Sequence, residues 1–206
     1  MNLSRLFATE LYRASLGADR ASRVLNADLE QAALQLSEDD AAGRAWCKAN
    51  GYDGYTSYSS LDDLTRRASC FEDLAKRLQK HADAFGAQLE WDLRGRKLVL
   101  DNLWVNVLTP GGGHSGHIHP HCVVSGTYYV RVPDGASSIR FEDPRLAMMM
   151  SAPTPREDAA QEHQRFIHVA PAAGDLLLWE SWLRHEVPPN RAASDRISVS
   201  FNYRWG

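Results

Sequence analysis

Apolar side chains recur at intervals of three and four residues in the first part of the chain. The longest stripe runs from Phe71 to Phe85, and shorter ones run from Leu25 to Leu36 and from Leu3 to Leu11. This spacing puts side chains on one face of a helix, so residues 1–88 are predicted to be mainly helical. Residues 48–60 interrupt the pattern with Gly, Ser and Tyr and predict an exposed loop.

The pattern changes near Leu89 to short runs of strand-forming residues separated by Gly and Pro. The predicted strands are Gln88–Asp92, Lys97–Leu108, Val123–Val132, Ser138–Phe141, Arg165–His168, Asp175–Trp179 and Arg196–Arg204. Helices followed by strands predict an α+β fold, with helices packed on one face of a sandwich or barrel. A length of 206 residues predicts a single domain, with helical support at 1–88 and a β core at 89–206.

The last predicted strand alternates strictly between polar and apolar side chains. Its polar positions are Arg196, Ser198, Ser200 and Asn202, and its apolar positions are Ile197, Val199 and Phe201. Side chains two apart on a strand share a face. The apolar set is therefore predicted to bury against the helices, and the polar set to line a pocket on the other side.

Histidine supplies the candidate chemistry, since His114, His117, His119 and His121 fall within eight positions. His117 and His119 point the same way on a strand, as two ligands of one metal must. The pair His119/His121 is the alternative, but Pro120 between them disturbs strand geometry.

His185 lies far downstream and would complete three metal ligands. Such a set leaves coordination positions open for a chelating co-substrate and dioxygen. Whether His114 or His121 assists the site stays open at this stage. His81, on the amphipathic helical stripe, is interpreted as structural.

Arg196 follows His185 after a turn and is predicted to return into the same cavity. Its planar fork of donors suits the far end of a dicarboxylate, and Ser198 or Ser200 would add a hydroxyl. The alternative is that Arg196 lies at the surface, in a turn with Asp195.

The ordered motifs HIHP, SGTYYV, EDPR, PAAGDLLLWESWLRHEV and RISVSFNYR resemble the 2-oxoglutarate/Fe(II)-dependent oxygenase family, as does LWVNV upstream. The resemblance covers most of the chain, most strongly from Trp104 onward. It implies a double-stranded β-helix, or jelly roll, with helices packed on one sheet. It also implies that Fe(II), 2-oxoglutarate and dioxygen are used to hydroxylate a C–H bond.

By position in these motifs, His117, His119 and His185 match the metal ligands. Arg196 matches the residue that binds the distal carboxylate of 2-oxoglutarate. Tyr129 resembles the tyrosine that assists this arginine, and it shares the face assigned to the pocket. Asn106 of LWVNV and Ser198 complete the predicted cofactor-binding set.

Two departures from the family pattern affect the predicted site. The middle ligand is His119 where most such oxygenases have a carboxylate, so the ligand set is neutral and selects less strongly against zinc. Trp179-Glu180 stands where the family usually has Phe-Pro before SWL.

Composition limits the possible partners. The formal net charge is −3, and the sequence contains no basic stripe of the kind that binds nucleic acid. No apolar run approaches the ~20 residues that span a membrane. Three cysteines without a CxxC motif predict a reducing, cytoplasmic setting. The expected partners are a small-molecule or peptidyl substrate and dioxygen, and homo-oligomerisation is possible.

Two other functions fit the histidine pattern. One is a cupin-like three-His dioxygenase that needs no 2-oxoglutarate, although the Glu expected after HxH is replaced by Val123 and Val124. The other is a non-catalytic jelly-roll module that binds a metal or ligand.

Overall fold

The computed structural model describes residues 2–206, so Met1, where the predicted domain begins, lies outside the described part. The helices are α1 (Arg20–Asp39), α2 (Ala41–Ala49), α3 (Leu64–Arg67) and α4 (Ser69–Gln88). The strands are β1 (Leu11–Ser15), β2 (Tyr55–Thr56), β3 (Leu98–Leu108), β4 (His114–His117), β5 (Val124–Arg131), β6 (Ile139–Glu142), β7 (Phe166–Val169), β8 (Asp175–Glu180), β9 (His185–Val187) and β10 (Arg196–Trp205).

The strands form two antiparallel sheets. The larger has six strands in the order β1-β8-β5-β10-β3-β2, and the smaller has four in the order β4-β9-β6-β7. Both sheets with the helices beside them give the predicted α+β class, with the long N-terminal helices on one sheet. Among residues 2–206, no helix is long and apolar enough to cross a bilayer.

Helices α1 and α4 cover the outer face of the six-stranded sheet. Asp19 caps the N-terminus of α1, where its carboxylate accepts a hydrogen bond from the backbone N–H of Ser22 at 2.9 Å. Leu29, Leu74 and Leu78 are fully buried between the helices and the sheet. Burial of a side chain of this size contributes about 1.5–3 kcal/mol, so the stripes seen in the sequence fix how the helices pack.

Strand β10 lies near the middle of this sheet, between β3 and β5. Ile197, Val199 and Phe201 belong to the core under the helices, as the alternation predicts. The polar residues of the strand, Arg196, Ser198, Ser200 and Asn202, face a cavity of about 720 Å³. The prediction of one apolar and one polar face is confirmed.

Two predicted elements in the first half of the chain are wrong. The stripe from Leu3 to Leu11 forms no helix; instead β1 pairs with β8 and adds an edge strand to the sheet. Gln88–Asp92 is not a strand, because Gln88 still belongs to α4 and the N–H groups of Leu89 and Glu90 bond back into its last turn. Strand pairing overrode the hydrophobic pattern in the first segment, and hydrogen bonds at the end of α4 overrode it in the second.

The stretch 48–60 is only in part the exposed loop that its composition predicts. Tyr55 and Thr56 are buried and form β2, which pairs with β3 at the edge of the larger sheet. Gly54 has φ +125°, and a Cβ there would come within 2.2 Å of the Val107 carbonyl oxygen. Glycine thus allows close backbone contact that brings this segment to the rim of the cavity.

We expect Gly126→Ala, in β5, to destabilise the fold by about 1–3 kcal/mol, because it overpacks the core. An added Cβ would lie 2.4 Å from the ring of Phe201 and 2.7 Å from the Leu177 carbonyl oxygen. Gly86→Ala, in α4, is the matched control. Its Cβ meets Leu98 at an ordinary 3.4 Å, and alanine favours helix by up to about 1 kcal/mol. In urea unfolding, the free energy of unfolding should fall for Gly126→Ala and rise for Gly86→Ala. Equal stability of the two variants would contradict this packing.

Candidate active site

Two of the three candidate histidines face each other across a strand pair. Strands β4 and β9 are antiparallel, and their register places His117 opposite His185. Directly opposed residues have Cβ atoms only about 4.5–5.5 Å apart, so both imidazoles reach the same point. The ring centroids of His117 and His185 lie 4.5 Å apart.

His119 reaches this point from a different backbone geometry than the sequence predicts. His117 ends β4 and His119 lies beyond it, so the two do not share a regular strand. The backbone N–H of His119 donates to the Ser181 carbonyl at 3.0 Å, which turns the segment towards β10. Nε2 of His119 then lies 3.3 Å from Nε2 of His185.

The three side chains form a convergent nitrogen cluster, with one ligand atom from each lying within 4.8 Å of the others. Nδ1 of His117 lies 2.7 Å from the Ser115 carbonyl oxygen, and Nδ1 of His185 lies 2.9 Å from that of Leu183. A carbonyl oxygen only accepts, so Nδ1 donates in both rings and each Nε2 keeps its lone pair. This is the usual preparation of a metal-binding imidazole.

Burial favours the uncharged form of the His185 and His119 imidazoles. It lowers the pKa of His185 to about 3 and that of His119 to about 4, with the neighbouring His117 adding to both shifts. Trp179 packs edge-on against His185, with ring centroids 4.7 Å apart. Neutral imidazole is the form that binds a metal, so these two side chains are ready for one at neutral pH.

Arg196 lies in the same cavity and is only 2% exposed. No carboxylate of residues 2–206 forms an ion pair with its guanidinium, and its Nε has no hydrogen-bond partner. Burial lowers the pKa of Arg196. A buried cation without a counter-ion is costly, which indicates a pocket for an anion.

Tyr129 forms the wall beside this guanidinium. The Arg196 Cζ atom lies 5.0 Å from the centre of the Tyr129 ring, and the Tyr129 hydroxyl is buried without a partner. Burial raises the pKa of Tyr129, and the positive charge of Arg196 acts in the opposite direction. The hydroxyl is therefore protonated and free to donate.

Sequence reasoning missed Tyr52 and left the part of His114 open. The Tyr52 hydroxyl lies 3.1 Å from Nε2 of His114, and both side chains line the cavity. Burial, followed by the charge of Arg196, lowers the pKa of His114 to about 3, so this imidazole is neutral. Tyr52 lies in the stretch 48–60, whose composition predicts an exposed loop. The signal for a role in the cavity is the presence of three tyrosines at intervals of three residues, Tyr52, Tyr55 and Tyr58.

Asn106 and Ser198, the other predicted cofactor residues, differ in what they have free. Asn106 accepts from the Thr56 hydroxyl at 2.9 Å and donates to Ser200 at 3.1 Å, so its amide holds the cavity floor together. Ser198 is buried and lines the cavity beside Tyr129 in the neighbouring strand. His121 is exposed at the rim with φ +70° and is not part of the three-histidine cluster.

The fold is a jelly roll whose cavity contains three converging histidine side chains that could hold a metal, beside the buried guanidinium of Arg196. Residues 102–202 match the family described as "Putative 2OG-Fe(II) oxygenase". This segment contains the histidine cluster, Tyr129 and Arg196. Residues 102–202, about half of the chain, therefore belong to the 2-oxoglutarate/Fe(II)-dependent oxygenase family. No curated protein sequence matches the chain.

Solved structures show the same fold at low sequence identity. The alpha ketoglutarate dependent epimerase SnoN of nogalamycin biosynthesis, in complex with Fe3+, alpha ketoglutarate and nogalamycin RO, is 13% identical with a TM-score of 0.59, covering 95% of this chain and 79% of its own. A Pseudomonas putida prolyl-4-hydroxylase is 14% identical with a TM-score of 0.57, covering 95% and 92%. A Burkholderia pseudomallei oxidoreductase of the 2OG-Fe(II) oxygenase family, 18% identical with a TM-score of 0.42, aligns over 58% of this chain and 50% of its own length. The first two confirm the double-stranded β-helix.

We expect the metal-free protein to lose stability as pH falls below about 6.5, and His114→Gln to reduce that loss. The folded-state pKa of His114 lies near 3, below its ordinary 6.5. The unfolded chain therefore takes up the proton first, so this contribution is complete above pH 6.5 and fades below it. Between pH 7.5 and 5 it amounts to about 1–2 kcal/mol.

The measurement is urea unfolding of wild type and His114→Gln at both pH values. His121→Gln, which replaces an exposed histidine of the same segment, is the control and should keep the wild-type slope. An unchanged slope in His114→Gln would show that His114 is not held neutral by burial.

Proposed function

We propose that this enzyme hydroxylates a C–H bond of a small-molecule or peptidyl substrate, with 2-oxoglutarate and dioxygen as co-substrates. His117, His119 and His185 would hold Fe(II), and Arg196 and Tyr129 would hold the distal carboxylate of 2-oxoglutarate. One observation carries the proposal: buried donors without acceptors line the same cavity as three converging imidazoles.

The donor set of the metal site fits a divalent first-row metal. Imidazole nitrogen suits iron as well as zinc, copper and nickel, and three ligands leave positions open for a chelating co-substrate. The ligand set is neutral, so the ion keeps its full positive charge until an anion binds. The site therefore favours a negatively charged co-substrate over a neutral one.

The anion pocket fits the far end of a dicarboxylate. Among the side chains that line the cavity, three buried donor atoms lack partners, namely Nε of Arg196, the hydroxyl of Tyr129 and Nε1 of Trp179. Each side chain lines the cavity that also contains the histidine cluster. A buried donor left unpaired costs about 1–3 kcal/mol, more when charged, so a ligand rich in acceptors is needed to satisfy them.

When bound, Fe(II) and 2-oxoglutarate would use dioxygen to supply the oxidising equivalent, with succinate and carbon dioxide as the co-products. The chain's own residues bind and orient the co-substrate and exclude water from the cavity. Arg196 and Tyr129 fix one end of the co-substrate, and this sets where its other end meets the metal. Trp179 and Phe141 pack around His185 and shield it from solvent.

Aromatic side chains surround the open end of the cavity and would meet the substrate. Tyr58 and Trp104 pack edge-to-face with centroids 5.0 Å apart, and Trp46 and Ile118 are also partly exposed there. These surfaces offer apolar and stacking contacts. They suit a substrate with an apolar or ring-shaped part near the oxidised carbon, which both small molecules and peptides provide.

The 2-oxoglutarate-independent alternative gains no support from the cavity. A three-His dioxygenase of that kind has no use for a buried guanidinium without a counter-ion beside the metal. The family match also covers Arg196 and the three histidines together. We therefore retain a single proposed function.

We expect Arg196→Met to weaken 2-oxoglutarate binding by about 100-fold or more, because it removes the charged partner of a buried carboxylate. Without co-substrate, the same variant should match or exceed wild-type stability by up to about 4 kcal/mol, because an unpaired buried charge is gone. Binding is measured anaerobically with Fe(II), from the visible charge-transfer band, and stability is measured by urea unfolding.

Arg131→Met is the matched control for this substitution. Arg131 ends β5 and pairs with Glu30 and Asp195 near the surface. It should keep 2-oxoglutarate affinity and lose a little stability, which is the reverse of the pattern at position 196. Wild-type affinity in Arg196→Met, or no charge-transfer band in the wild type, would refute the proposed co-substrate.

Hydroxylation itself is tested with isotopically labelled dioxygen. The Fe(II)-loaded enzyme is supplied with 2-oxoglutarate and a panel of amino acids, peptides and cyclic metabolites, and succinate is measured first. Any compound that stimulates succinate formation should yield a product with one labelled oxygen atom. Stimulated succinate with an unlabelled, rearranged product would replace hydroxylation by another oxidation within the same family.

A further inference from the structure

Asn202 lies on the cavity face of β10, directly beside one of the three clustered histidines. It is 2% exposed, and its amide nitrogen lies 3.4 Å from Nδ1 of His119. Its amide oxygen accepts from the Ser125 hydroxyl at 2.7 Å, and Ser125 is 2.8 Å from the Ser181 hydroxyl. A buried polar chain therefore links β5, the turn after β8 and β10 to the imidazole of His119.

His119 differs from its two neighbours in what faces its second nitrogen. Nδ1 of His117 and Nδ1 of His185 each donate to a backbone carbonyl, which fixes Nε2 as the free nitrogen. Nδ1 of His119 has only the Asn202 amide as its partner among residues 2–206. Any hydrogen bond that orients this imidazole through Nδ1 therefore comes from Asn202.

The orientation of the amide decides whether His119 is able to bind a metal. When the amide nitrogen faces Nδ1, that nitrogen has to accept, and the ring proton sits on Nε2. Nε2 is the atom that faces His185 at 3.3 Å. A protonated Nε2 has no lone pair for a metal. The contact at 3.4 Å is also long for a hydrogen bond, so it holds this orientation weakly.

Rotating the Asn202 side-chain amide by half a turn exchanges its oxygen and nitrogen ends. This frees Nε2 of His119 for a metal and needs no movement of another side chain. The oxygen and nitrogen ends of an amide are nearly equal in size, and a serine hydroxyl both donates and accepts. After the turn, the Asn202 oxygen accepts from Nδ1–H of His119. The Asn202 nitrogen donates to Ser125, and Ser125 donates onward to Ser181.

We infer that Asn202 is a positioning residue for the metal site: its side-chain oxygen takes the Nδ1 proton of His119 and so presents Nε2 to the metal. The inference rests on the proposed metal site. It gives His119 the same preparation that backbone carbonyls give His117 and His185. A purely structural Asn202 would instead serve only the hydrogen bonds of Ser125.

The decisive variant is Asn202→Asp, because a carboxylate has the same shape as the amide and only accepts. This variant retains an acceptor for Nδ1–H of His119 and loses the amide N–H that would donate to Nδ1. Asn202→Leu removes the acceptor and keeps the branched side-chain shape with the same number of heavy atoms. Asn102→Asp is the matched control, since Asn102 lies opposite Asn202 in the β3–β10 pair. The substitution adds the same charge at a position without a histidine partner.

The probe is Co(II), titrated calorimetrically and by its visible spectrum into the metal-free full-length proteins, with urea unfolding measured alongside. We expect Asn202→Leu to bind Co(II) about 10–100-fold more weakly than the wild type, which is the usual effect of removing such an outer partner. Asn202→Asp should bind at least as tightly as the wild type, and Asn102→Asp should stay within about threefold, as expected of a residue that contacts no ligand.

Three results would overturn the inference, and they are distinguishable. Tenfold weaker Co(II) binding by Asn202→Asp, with Asn102→Asp unaffected, would mean that the amide acts as a donor. Wild-type affinity in a folded Asn202→Leu would assign Asn202 a structural role alone. Absence of Co(II) binding by the wild type would refute the proposed metal site itself. If Asn202→Leu does not fold, Asn202→Asp decides alone.

Discussion

Strand β10 serves the hydrophobic core and the cavity at once, because successive side chains of a strand leave the sheet on opposite faces. Ile197, Val199 and Phe201 are completely buried under the helices, and this fixes the strand's rotation and depth. The position of Arg196 in the cavity is therefore set by apolar packing on the other side of the sheet. A shift of one residue in register would place the guanidinium in the core and an isoleucine in the pocket.

The electrostatics of the cavity follow from this arrangement. The buried guanidinium of Arg196 leaves the cavity with positive charge, and no anionic side chain of residues 2–206 pairs with it. A bound metal would add to that charge, so metal and dianion should support each other's binding. His119 in place of a carboxylate strengthens this dependence, because no protein ligand neutralises the ion.

The sequence was most informative where local chemistry and strand periodicity coincide. The two faces of β10, the convergence of His117, His119 and His185, and the inward position of Tyr129 could all be predicted from spacing and motifs. The positions of Tyr52 and β1 could not, because both depend on partners more than fifty residues away. Tyr52 reaches the cavity only because Gly54 lets its segment lie against β3. The path of the chain at His119 depends on a single bond to Ser181.

The pairing of β1 with β8 has a consequence for how the molecule is assembled. Leu11 lies opposite Trp179, so the first strand of the chain completes its sheet against one of the last. Contacts between such distant residues close a long loop of chain, and folds rich in them form slowly. During synthesis β1 must wait until the ribosome has released β8. Until then, the three clustered histidines have no complete sheet to hold them in place.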